Sequence, residues 1–115
     1  MTDTAEERVG TFRQRSYFVL VRATPDFDTP DEFAAVLYYE SDSSETTQIA
    51  RIDTAHGYTH FDRLYKRGEP KDAVEMDLWE AWTHLKSDWR TYAESYDSMI
   101  RIESKMTVIL SSVSR

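Results

Sequence analysis

Leu78, Trp82, Leu85, Trp89, Tyr92, Tyr96 and Met99 recur at alternating spacings of four and three residues. That period matches one face of an α-helix, so the stretch from about residue 73 to about 100 is expected to be a long amphipathic helix. Asp72 with Glu75 three residues later suits a capping box at its start. A stripe holding two tryptophans and two tyrosines must be covered. It is either the core of this chain, packed on a sheet, or a seam for a partner helix. The last residues, "KMTVILSSVSR", either prolong the helix or add a short strand.

Upstream the pattern has a period of two. "FRQRSYFVLVRA" reads as a strand, with Tyr17, Val19 and Val21 on one face and Phe18 and Leu20 on the other. Apolar residues on both faces imply cover on both. "EFAAVLYYE" carries mixed signals. Thr29, Pro30 and Glu32 resemble a helix start, whereas Val36, Leu37, Tyr38 and Tyr39 favour a strand. The strand is preferred because it completes a meander with "TTQIARIDT" and its successor. The fold class expected is therefore α+β: an antiparallel four-stranded β-meander packed by one long C-terminal amphipathic helix. Residues 1–10 are polar, charged and unpatterned, and read as a disordered tail. Residues 11–115 then form a single domain.

The chain has 115 residues and no cysteine, which excludes disulfides, thiolate zinc sites and cysteine nucleophiles. Its longest apolar runs are too short to span a membrane, and no signal peptide is visible, so a cytoplasmic location is expected. Asp and Glu number 21 against 14 Lys and Arg, of which four are lysine. An acidic, lysine-poor chain fits a high-salt cytoplasm, where net charge keeps the surface hydrated. The same acidity argues against broad electrostatic binding of nucleic acid.

Chemistry concentrates in "RIDTAHGYTHFDRLYKRGEP", residues 51–70. Glycine after histidine suits a two-residue turn with positive φ, making a hairpin with His56 and Gly57 as its loop. Counting outward pairs Ala55 with Tyr58, Asp53 with His60, Ile52 with Phe61, and Arg51 with Asp62. Arg51, Asp53, His60 and Asp62 then share one face, and Ile52 and Phe61 the other. A carboxylate opposite an imidazole orients the ring, so His60 is the candidate acid–base, Asp53 its orienter and Arg51 an anion stabiliser. Asp62 and His56 are candidate ligands for a divalent cation, with His60 and Asp53 beside them. Arg63, Lys66, Arg67 and Lys71 are candidate phosphate contacts. The plainer reading makes Arg51–Asp62 and Asp53–His60 two cross-strand charge pairs on a solvated face. His84, beside Trp82 and Leu85, reads as helix flank.

The stretch "ARIDTAHGYTHFD" resembles the R-Y-D-N-A-H-G…H-x-H pattern of the small TumE-type toxins. Arg51, Asp53, His56, Gly57 and His60 stand at matching positions; Asp62 replaces the second histidine and Thr54 the asparagine. The resemblance implies a toxin component acting on RNA, with a helix-turn-helix antitoxin as partner. The competing expectation is a non-catalytic interaction protein that forms a homodimer or docks a partner through its sheet or helix, with Tyr17 and Tyr39 at the contact.

Overall fold

A computed structural model describes residues 1–54, 57–65 and 72–113, with side chains as far as residue 106. It is an α+β fold. Six antiparallel strands run in chain order, β1 (Asp3–Phe12), β2 (Arg15–Thr24), β3 (Glu32–Glu40), β4 (Thr46–Asp53), β5 (His60–Arg63) and β6 (Asp72–Ala73). One helix, α1 (Leu78–Val113), lies across one face.

The strand count corrects the expected four. Residues 3–10 are not a disordered tail but the body of β1, which pairs with β2 from Asp3↔Ala23 to Phe12↔Arg15, with one register shift between Arg8 and Gly10. Its sequence is weakly strand-like on its own. The pairing partner supplies what propensity lacks, because strand formation depends mostly on neighbours. The other addition, β6, is two residues that pair with His60 and Phe61. Residues 32–40 are the strand β3, as preferred.

Alternation decides what is buried. In β2, Tyr17, Val19, Val21 and Ala23 face the helix and are almost fully buried. Leu37, Tyr39, Ile52 and Phe61 join them from the later strands, opposite Leu78, Ala81, Leu85, Tyr92 and Ala93 of α1. Trp82, Trp89, Tyr96 and Met99 complete the stripe against the same core. Tyr17 stacks obliquely on Trp89 and on Tyr39, at centroid distances of 5.3 and 5.5 Å. These two tyrosines are core residues under the helix, not a docking surface. Gly10 permits this packing, since a Cβ there would lie 2.4 Å from Trp89 Cζ2.

The helix begins five residues later than its first capping signal suggests. Asp77 and Glu80 form the box: the Glu80 N–H donates to Asp77 Oδ1 at 2.8 Å, and the Asp77 N–H to Glu80 Oε1 at 3.2 Å. At the other end α1 continues to Val113, so the tail prolongs the helix. Ile102 and Met106 are exposed there, each keeping more than half its surface. No helix among the described residues is long and apolar enough to cross a membrane.

The opposite face of the sheet carries no helix among the described residues. Register defines its rows: Glu6, Leu20, Val36, Arg51 and Asp62 stand side by side, and Thr4, Arg22, Ala34, Asp53 and His60 form the next. A β-bulge in β4 sets the phase of this face. Leu37 pairs with Ala50 and Tyr38 with Gln48, leaving Ile49 as the extra, fully buried residue. Gln48 and Arg51 therefore point the same way despite being three apart.

Candidate functional site

The ladder follows the counted register at Arg51↔Asp62, Ile52↔Phe61 and Asp53↔His60, but it stops there. Thr54 and residues 57–59 lie outside both strands, so the connection is longer than the expected two-residue turn. The expected Ala55 pairing lies outside the described residues. Ile52 and Phe61 fill the core, so period-two alternation sends Arg51, Asp53, His60 and Asp62 to the open face. Gly57 has φ +84°, the conformation its place after histidine anticipated. The end of β4 is held by Thr54. Its N–H donates to the Phe33 carbonyl at 3.1 Å, and its Oγ1 accepts from the Phe33 N–H at 3.0 Å. These bonds extend the β3–β4 ladder one step and fix Asp53 beside Ala34.

Asp53 stands between the His60 imidazole and the Arg51 guanidinium. Its Oδ1 lies 2.8 Å from His60 Nε2, and its Oδ2 lies 3.7 Å from Arg51 Nε. Arg51 also donates through Nη2 to Gln48 Oε1 at 3.0 Å. The guanidinium thus turns along its own strand, toward Asp53 and Gln48. His60 is 1% exposed and Asp53 is 8% exposed, so the pair is not a solvated surface pair. The Tyr58 ring, exposed on its outer side, leans over His60 at 5.4 Å.

Beside the pair the open face sinks into a cleft of about 690 Å³. Arg22, Arg51, Asp53 and Tyr58 line it, with Asp31 and Glu32 at its rim. His60 is not a lining residue; it lies behind Asp53. Two arginines against three carboxylates leave the cleft with mixed charge. It can clamp a single anionic group between Arg22 and Arg51, but it offers no basic track for a long polyanion.

The remaining candidates separate. Arg63 sits on the helix side, paired with Asp72 at 2.9 Å and lying over the Phe61 ring at 4.8 Å. It is therefore not a neighbour of the cleft. The alternation that places Asp62 on the open face sends the next residue through the sheet. His56, Lys66, Arg67, Lys71 and the Ala55 side of the turn lie outside the described residues. Among the described residues, no group of three or more His, Asp or Glu side chains comes together to hold a metal ion. His84 is on the helix side, with Nε2 2.6 Å from the Tyr92 hydroxyl.

Sequence reasoning missed Arg22 and Tyr58. Arg22 reaches the site through the row Arg22–Ala34–Asp53, which requires the β2–β3 register. The loop between those strands, residues 25–31, is too long for a turn rule to count across it. Tyr58 was legible as a hairpin residue but had no partner in a one-dimensional count.

The fold and its cleft define a class: a small α+β protein with one sheet face packed by a helix and, on the other, a cleft reached by a carboxylate that a buried imidazole backs. Residues 4–102 match the family described as domain of unknown function DUF7718, and the chain belongs to that family. No curated protein and no solved structure matches it significantly.

Proposed function

We propose that this chain is a toxin-like protein that acts on RNA in the Asp53 cleft, one nucleotide at a time. The observation that supports the reading best is the Asp53–His60 contact of 2.8 Å at the floor of a cleft walled by Arg22 and Arg51. Asp53, which meets the cleft, is the proton acceptor. His60, buried behind it, is a positioning residue that holds the carboxylate. Arg22 and Arg51 contact the phosphate and stabilise charge developing on it. Tyr58 offers a stacking surface to a base. These roles invert the expected order, in which His60 does the acid–base work and Asp53 orients it.

In a high-salt cytoplasm, which the acidic composition favours, screening shortens electrostatic reach to a few ångströms. Recognition then depends on direct contacts in the cleft rather than on a basic footprint. A helix-turn-helix antitoxin is the partner that this reading carries with it. The test is incubation of the purified chain with single-stranded RNA oligonucleotides in high salt, alongside Asp53→Asn. Cleavage that falls at least 100-fold in Asp53→Asn supports the reading. A variant with full activity overturns it.

A second reading is favoured by the helix end, where Ile102 and Met106 are exposed beyond the sheet. Here the chain is a non-catalytic interaction protein, and α1 presents its C-terminal apolar surface to a partner. Inertness of the wild-type chain toward RNA, with Ile102→Asp abolishing capture of a defined partner helix, would favour it.

A further inference from the structure

We propose that a second copy of this chain covers the open sheet face, in a two-fold dimer whose axis runs along the strands between β2 and β3. The interface stands apart from the reading of the cleft; only its consequence for ligand access rests on that reading.

Phe18 and Leu20 are half-buried on the open face, and Phe18 stacks on Tyr38 at 5.3 Å with planes 19° apart. Val36 lies beside Leu20. These four side chains form an apolar centre across β2 and β3. Val36 and Tyr38 are already buried within one chain, at 3% and 9% exposed, so Phe18 and Leu20 carry the accessible part of this apolar centre, on which no element packs among the described residues. Such a centre, rimmed by charge, is the anatomy of an interface.

Register then specifies the occupant. One row across the face reads Glu6, Leu20, Val36, Arg51 from β1 to β4. A two-fold axis between β2 and β3 sets β1 of one copy against β4 of the other, and β2 against β3. Glu6 then meets Arg51 of the second copy, twice, and Leu20 meets Val36. In the adjacent row, Arg8, Phe18, Tyr38, Gln48, the same operation sets Phe18 against Tyr38 and Arg8 against Gln48. The face is complementary to itself in charge and in apolar pattern, as an isologous contact requires. Within one chain, Glu6 accepts from the Tyr38 hydroxyl. Arg51, three strand spacings or about 14 Å away, holds Gln48 and Asp53. The contact between copies therefore adds to bonds that each residue already makes.

Size sets the strength. Four strands by three residue rows cover about 400 Å² per copy. The total, about 800 Å², falls short of the roughly 1,000 Å² of a stable interface, so the dimer is a weak, transient one with dissociation in the tens of micromolar. The same operation brings Thr4 of the second copy over Asp53. Each cleft is therefore roofed in the dimer and open in the monomer, and self-association restricts access to it.

The experiment is sedimentation equilibrium of the full chain up to roughly 100 µM, in low and high salt. The wild type is expected to dimerise. Glu6→Arg and Arg51→Glu are each expected to weaken the dimer at least tenfold, and the double variant to restore it. Leu20→Lys, at the apolar centre, is expected to give a folded monomer and serves if the charge swap disturbs folding. A wild-type monomer throughout that range overturns the proposal. So does a Leu20→Lys dimer, or a double variant that folds but fails to recover. These outcomes are independent of the cleft reading. Asp53→Asn would lose activity with the dimer intact, whereas Leu20→Lys would lose the dimer with Asp53 intact.

Discussion

His60 Nε2 lies 2.8 Å from Asp53 Oδ1, yet the two residues face different surroundings. Asp53 lines the cleft, and His60 is sealed behind it with 1% of its surface exposed. A sequence count places them side by side; burial separates their roles.

Burial also makes His60 structural. His60→Ala leaves a void and removes the partner of a buried carboxylate, so it is expected to cost about 2–4 kcal/mol. Urea unfolding measures this directly. An unchanged midpoint would return His60 to the solvated face that a plain hairpin offers.

Gly10 and Trp89 allow a cleaner packing test. In Gly10→Ala the new methyl meets Trp89 Cζ2 at 2.4 Å and Cη2 at 2.9 Å, and Tyr17 backs the indole. The expected loss is about 1–3 kcal/mol, and Trp89→Leu in the same background should recover part of it. Thermal melts of the single and double variants read the coupling.

The helix start discriminates between two capping signals. Asp77→Ala is expected to cost about 0.5–2 kcal/mol, because it leaves the Glu80 N–H without its acceptor. Asp72→Ala removes only a half-exposed pair with Arg63 and is expected to cost under about 1 kcal/mol. A larger effect at Asp72 than at Asp77 would contradict the helix boundary.

Tyr92 makes stability depend on alkaline pH. Burial, with Asp88 adding to it, pushes the phenol up to about 12, against about 10 in an unfolded chain. Between those values the unfolded state releases a proton that the folded state keeps. The stabilisation is fully present below pH ~10 and falls as pH rises toward ~12. Burial pushes Tyr96 up to about 12 as well, so Tyr92→Phe is expected to reduce that slope, not abolish it, in urea midpoints measured across the range.

The hairpin was legible because its cues are local. A glycine suited to positive φ, strict alternation and two apolar residues in opposition leave one register that buries Ile52 with Phe61, and Asp53 then falls opposite His60. The helix was legible for the same reason, since its period is carried by consecutive residues. Its boundary was not. Asp72–Glu75 and Asp77–Glu80 both satisfy the capping pattern, and only pairing of Asp72 and Ala73 with β5 excludes the first.

β1 was illegible because an edge strand with four charged residues among its ten has little preference of its own. Its order comes from β2, a partner it meets only in three dimensions. Arg22 joined the site by the same route, through registers set across loops. Sequence alone therefore determined the elements with strong local periods and the content of the hairpin's polar face. Tertiary structure alone decided that Asp53 opens to a cleft while His60 is enclosed, and that Arg63 points away. Periodicity assigns a side chain to a face; what lies above that face depends on residues distant in the chain.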